Sequence, residues 1–308
     1  MRVCAALALL FALACITLTG CAAQTARPKF DADKSFAMLK KQCDFGPRPP
    51  GSAEHRKLKD FLAAEMKKHS NRVAVQSFSH KHSATGRNLD MWNIIASFGP
   101  TEGREILLCA HWDTRPTADE ELDVEKQKKP ILGANDGASG VAVLLELARM
   151  FKLQPPGVPV TIVLFDGEDY GPTAKDMFLG AKYFASKLDK PESFRYGILL
   201  DMIGDSNLQI YRERNSDAAA PEIVGKVWKT AAKLGFEKTF IDRPKYPITD
   251  DHLPLIERGI PCIDIIDFDY AYWHTLDDTV DKCSPESLRI VGETVAEVVY
   301  SERASSPD

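Results

Sequence analysis

No run of lysines and arginines, no internal repeat and no low-complexity tract interrupts this 308-residue chain. The 39 Lys and Arg stand against 44 Asp and Glu, a net charge of −5 at pH 7. Nothing therefore offers the positive track that a nucleic-acid backbone requires, and Lys67-Lys68 and Lys126 to Lys129 read as solvated faces. Cysteine is sparse. Of seven, Cys4, Cys15 and Cys21 belong to the N-terminal stretch, and the remaining four allow three pairings. Cys109 and Cys262 sit in apolar strand-like runs as buried thiols. A Cys43–Cys283 bridge is open to an oxidising compartment. With 44 % hydrophobic residues, the chain can bury one large core, more simply one α/β domain than two small ones.

The one long apolar run is N-terminal and too short to span a membrane, which takes roughly 20 residues. Arg2 precedes an apolar stretch from Val3 to Thr17, followed by Leu18-Thr19-Gly20-Cys21. The pattern resembles a bacterial lipoprotein signal, with residues 1–20 removed and Cys21 acylated. A secretory signal cut near Ala22-Ala23 is the alternative. Expected organisation is a signal over 1–20, a tether over 21–33 and a single domain over 34–308, exported and held at the cell envelope by its lipid.

Beyond the tether, helical periodicity over 34–42 and 52–68, with Ser52 as N-cap, precedes strand-like runs at 73–79, 91–98, 105–110, 158–165, 196–200 and 261–266. Helices are predicted over 140–151, 179–188, 221–234 and 285–300. This alternation predicts a three-layer α/β/α sandwich, a mostly parallel twisted sheet with helices on both faces. Ligands in such sheets collect beyond the carboxyl ends of the strands. There the chain places His111 and Asp113, the turn Gly133 to Gly137 carrying Asp136, Asp166 with Glu168 and Asp169, Asp201, and His274. Two carboxylates and a histidine suit Zn²⁺ and leave a position open for substrate or water, as catalysis needs.

The strings His111-Trp112-Asp113, Asp136-Gly137-Ala138-Ser139-Gly140, Glu168-Asp169, Asp201-Met202-Ile203-Gly204 and His274-Thr275-Leu276-Asp277-Asp278, in this order, resemble the zinc aminopeptidase family that includes glutaminyl-peptide cyclotransferases. Asp250-Asp251-His252-Leu253-Pro254 and Tyr272-Trp273-His274 are similar to the cyclotransferase branch. The resemblance implies one Zn²⁺ on Asp136, Asp169 and His274, with Glu168 as general acid/base. It implies Asp250 and Asp201 as further catalytic groups, a substrate wall including Trp273 and Tyr272, and peptide or protein N-termini beginning with Gln as substrates. Where animal members carry glutamate this chain has Asp169, and the segment Tyr170 to Phe178 lacks their tryptophan, so Tyr170, Met177 or Phe178 is expected to replace it.

Each assignment has a plainer counterpart. Asp250 or Asp251 could merely cap a helix beginning near Leu253, and the loop aromatics could be core. His55, His80, His82 and His252 show no ligand spacing. The rival enzyme is a two-zinc aminopeptidase in which His111 and Asp201, with bridging Asp136, hold a second ion; in the one-zinc case they are groups hydrogen-bonded around the site. A non-catalytic surface module, the remaining alternative, would have no need to keep these groups.

Overall fold

The computed structural model describes residues 27–70 and 72–304; the predicted signal and Cys21 lie outside them. Among the described residues eight strands form, β1 (Arg72–Lys81), β2 (Asn88–Phe98), β3 (Glu105–His111), β4 (Val160–Phe165), β5 (Phe194–Asp201), β6 (Ile210–Arg212), β7 (Phe240–Pro244) and β8 (Cys262–Ile266). Six make one sheet in the order β1-β2-β4-β3-β5-β8. From β4 to β8 the neighbours are parallel, whereas β2 runs antiparallel to both β1 and β4. Sequence reading missed β6 and β7, a two-stranded parallel pair too short to show a period.

Side chains of the parallel strands alternate between two apolar layers. Ile106, Leu108 and Ala110 of β3 join the larger cluster with helices Ala32–Cys43, Ala138–Leu153 and Pro285–Ser301; Leu107 and Cys109 join the other, under helices Leu179–Ser186 and His252–Glu257. Helices therefore cover both faces, as expected. Their starts are written locally: Ser52 accepts from the His55 amide, Ser284 from the Ser287 amide, and prolines open the helices at 221 and 285 where no N–H is required. Helix Ala138–Leu153 is buried on nearly every side, which fits its apolar surface all round.

Two expectations change. Residues from 27 onward, expected within the tether, pack on the domain: Arg27 pairs with Glu293 and Glu297, and the Phe30 ring is buried against Gly292, where a Cβ would overlap it. The Cys43–Cys283 bridge is not formed. Cys43, Cys109, Cys262 and Cys283 are buried free thiols, and burial pushes Cys43 up to about 11. Among the described residues no helix is long and apolar enough to cross a membrane.

Candidate metal centre and active site

Because β3, β4, β5 and β8 are parallel, their carboxyl ends deliver polar side chains to one edge. The carboxylates of Asp136 and Asp169 and the imidazole of His274 converge there. His274 Nε2 lies 3.5 Å from Asp136 Oδ2 and 3.3 Å from Asp169 Oδ1, and the three groups can offer ligand atoms within 4.8 Å of one another. On the other side of Asp136, His111 Nε2 lies 3.1 Å from Asp136 Oδ1 and 3.1 Å from Asp201 Oδ1, making a second such group. Asp136 is shared, one oxygen toward each imidazole. Asp169 Oδ2 is buried without a hydrogen-bond partner. Oxygen and nitrogen donors converging around an orphaned buried oxygen fit a divalent cation.

What aims these groups is a pair of carboxylates outside the cluster. Asp113 accepts from the amides of Glu168 (3.1 Å) and Asp169 (3.3 Å), while Asp278 accepts from those of Asn135 (2.9 Å) and Asp136 (3.2 Å). Asp278, four residues past His274, thus reaches back to the Asp136 turn. The Gly137 position excludes a side chain, since its φ is +98° and a Cβ would stand 2.7 Å from the Asp113 carbonyl. Gly140 does so for another reason: a Cβ would lie 2.2 Å from the Leu200 carbonyl, so the helix can press on the sheet. Met202 and His274 hold φ of 44° and 53°, left-handed values that cost non-glycine residues energy and concentrate at functional positions.

Two arginines escaped the sequence reading. Arg48 is buried and donates to the carbonyls of Trp112, Leu132 and Gly133. Arg115 donates to Asp169 Oδ1 at 2.7 Å while pairing with Asp119. Neither has a local motif. Asp166 turns away from the cluster, accepting from His55 (2.8 Å) and the Trp92 amide (2.7 Å), with His55 stacked on Trp112. This gives His55 the structural role expected of it.

The converging groups line a cavity of about 50 Å³. Met202, Asp250, Ile248 and Ile266 also line it, with the more exposed Met177, Phe268 and Trp273. Trp273 and Met177 were foreseen. Tyr170 and Tyr272 were expected in this wall, and neither lines it: Tyr170 meets His82 edge-on and Tyr272 meets Tyr270. Glu168 stands in the cavity beside the ligand-like groups. Burial, with Asp169 and Asp250 adding to it against the pull of His111, holds its carboxyl well above the usual range.

Asp250 closes the opposite side. Asp251 occupies the N-cap position of helix His252–Glu257, yet neither aspartate caps it through its side chain; Asp250 Oδ1 accepts only from the Asp251 amide. Behind them lie Asp264 and His252, fully buried, and with Asp250 they form a third group with ligand atoms in mutual reach. His252 Nε2 is 3.3 Å from Glu213 Oε2. Burial, then the neighbouring carboxyls, raises Asp250, Asp251 and Asp264 well above their ordinary values. Burial thus favours their neutral forms, which fits their sitting together with one histidine.

A parallel-edge metal-type site under an α/β/α sandwich defines the zinc exopeptidase-like fold class. The chain belongs to peptidase family M28, whose model matches residues 93–299. It is similar to a Zn-dependent exopeptidase from Parabacteroides distasonis and to a Bacteroides thetaiotaomicron glutaminyl cyclase bound to N-acetylhistamine. Each is 40 % identical, with a TM-score of 0.87, over 90 % of this chain and 100 % of the other. A mouse glutaminyl-peptide cyclotransferase-like protein is 25 % identical over 278 residues, 81 % of this chain and 70 % of the relative.

Proposed function

We propose that this protein is a zinc-dependent glutaminyl-peptide cyclotransferase, converting N-terminal glutaminyl peptides to pyroglutamyl peptides with release of ammonia. The observation that carries this reading is one cavity with Asp136, Asp169 and His274 on its floor, Glu168 beside them and Asp250 opposite, free of helix capping. Similarity to bacterial glutaminyl cyclases supports it.

Asp136, Asp169 and His274 would hold one zinc. Bound there, zinc supplies Lewis-acid polarisation of the side-chain carbonyl of the glutamine. The substrate α-ammonium gives one proton to solvent, and as the freed amine forms a bond to the side-chain carbonyl carbon Glu168 takes a second proton from its nitrogen. As the carbon–nitrogen bond of the amide breaks, Glu168 returns that proton to the departing nitrogen, so ammonia leaves and the peptide bond stays intact. Asp250, holding its proton, is placed to hydrogen-bond the leaving amide. Asp201 fixes His111, and Trp273, Ile248 and Phe268 close apolar surface around a folded side chain. Nucleophile and electrophile belong to one residue, so most of the task is holding the cyclising conformer.

A second reading, a two-zinc aminopeptidase, is favoured by one feature, the sharing of Asp136 between His111 and His274. There Glu168 would take its proton from an attacking water. Mass spectrometry of a Gln-initiated peptide incubated with zinc-loaded protein, beside a no-enzyme control, separates the two. Loss of one ammonia establishes cyclisation, and release of the first residue establishes the peptidase. Metal analysis adds one tightly held zinc for the former and two for the latter. We further assign the chain to the cell envelope through a lipid on Cys21, supported by Leu18-Thr19-Gly20-Cys21; Cys21→Ser should move it from the detergent-soluble to the aqueous fraction.

A further inference from the structure

Between Glu168 and Leu179 the chain leaves the sheet as a loop closed at its base, where the Phe178 amide donates to the Glu168 carbonyl (2.8 Å) and the Leu179 amide to the Gly167 carbonyl (3.0 Å). Both ends of this loop meet the cavity, Glu168 and Asp169 at its start and Met177 at its finish. The start is fixed by Asp113, which accepts from the Glu168 and Asp169 amides. At the finish, Lys182 Nζ donates to the carbonyls of Ala174 (2.7 Å) and Met177 (2.8 Å). Pro172, Thr173, Ala174 and Lys175 are exposed, yet Asp176, the residue before Met177, is fully buried. An aspartate is rarely buried unless it is paired.

Its partners come from the end of the β1–β2 hairpin, 93 and 96 residues earlier in the chain. His80 donates from Nε2 to Asp176 Oδ1 (2.7 Å), the Ser83 amide donates to the same oxygen (2.9 Å), and the Ser83 hydroxyl donates to Oδ2. Buried beside them, His82 donates from Nε2 to the Gly171 carbonyl (3.2 Å), and its ring meets Tyr170 edge-on. β1 has no fully buried residue, so what this end of the hairpin supplies is chiefly hydrogen-bond donors. We propose that Asp176 is a positioning residue of the active-site cavity: anchored to the hairpin, it holds Met177 in the wall against which the first residue of the substrate packs. It acts through its neighbour and touches no reacting atom. Hydrogen bonds to a charged carboxylate are the strong kind, and removing that charge weakens every donor's hold on the loop. The start of the loop stays fixed by Asp113, and Asp169 stays paired with Arg115. Such a loss therefore displaces the Met177 end alone, so substrate binding suffers while zinc and proton transfer are kept.

The inference rests on a substrate bound in this cavity, as proposed above. Steady-state kinetics on Gln-Ala-amide test it. Asp176→Asn should raise KM about 10-fold and keep kcat within about 2-fold of wild type, with zinc content after dialysis unchanged. Met177→Ala should raise KM to a similar degree, and the double variant no further than either alone, because both substitutions remove the same contact. His80→Ala, which deletes one donor and leaves the buried aspartate in place, should raise KM about 3-fold. His80→Gln, whose amide can donate to the same carboxylate, should recover most of that loss. An unchanged KM in Asp176→Asn or His80→Ala, KM effects that multiply in the double variant, or a fall in kcat in place of the KM rise overturns the assignment. Should Asp176→Asn not fold, the two His80 variants decide it. Failure of the cyclotransferase reading looks different: the wild type then releases no ammonia. Calorimetric affinities of the same amide for the zinc-loaded proteins then decide Asp176, on the same ratios.

Discussion

Two acidic regions border one cavity, and they solve the same electrostatic problem in opposite ways. At the strand exits, Asp113 and Asp278 each receive two backbone amides, Asp169 receives Arg115, and two imidazoles stand among Asp136, Asp169 and Asp201. Behind Asp250, the carboxyl groups of Asp251 and Asp264 accept from no N–H, and Asp264 instead meets the Asp250 carboxyl. The first region is supplied with donors that favour negative charge where a cation can use it, although burial, then the neighbouring Asp136, still raises Asp278 to about 7. The second is organised by burial to keep its acids neutral. Glu168, raised well above the usual carboxyl range, sits between the two and can exchange a proton beside a metal-type cluster. A general base needs that position.

The sharpest way to break this division is Glu168→Gln. It should lower kcat by about 10²- to 10⁴-fold while bound zinc, measured by elemental analysis after dialysis, stays at the wild-type level. Full turnover by this variant would remove Glu168 from the chemistry. Glu213, which supports the neutral region through His252 and the Ile248 amide, is itself pulled down to about 2: burial opposes the shift, and His252 and the amide hydrogen bonds outweigh it. A depressed carboxyl contributes stability that is present above its unfolded value of about 4.3 and lost as pH falls through the folded one. Glu213→Gln should therefore cost on the order of 3 kcal/mol at neutral pH and flatten the loss of urea stability between about pH 4 and 2. An unchanged acid limb would contradict this.

Asp113→Asn and Asp278→Asn test the charged region, because an amide can accept from one turn N–H but presents its own donors to the other. Each should weaken zinc binding by about 10- to 100-fold, read by chelator competition, whereas Asp264→Asn should leave zinc affinity unchanged. Equal losses at all three would dissolve the distinction between regions. The smallest effect is the pH slope at Asp264. Its folded pKa is raised, so its contribution to stability is complete below the unfolded value of about 3.9 and is lost as pH rises through the folded value. Wild-type urea midpoints should fall from acid toward alkaline pH, and Asp264→Asn should fall less. A variant as steep as the wild type would show that Asp264 ionises freely.

Much of this was legible in one dimension. Strand periodicity and helix caps such as Ser52 and Ser284 are local, and parallel topology makes every strand exit a candidate site position, which is how Asp136, Glu168, Asp169, Asp201 and His274 stood out before any coordinates. The positions of Arg48, Arg115 and Asp278 relative to the site did not. Their partners are distant in sequence, and nothing in the chain pairs Asp278 with the amides of Asn135 and Asp136. Tyr170 and Tyr272 show the converse: aromatic loop residues near a site in sequence are not among those lining the cavity, and they pack on His82 and Tyr270.

By itself, then, the sequence determined the layered α/β architecture and the inventory of groups at its carboxyl edge, because both follow from backbone periodicity and strand direction. Only the tertiary structure decided which carboxyls meet donors and which are buried without them. Chain order cannot state this, since the protonation and aim of a side chain depend on neighbours contributed by other segments.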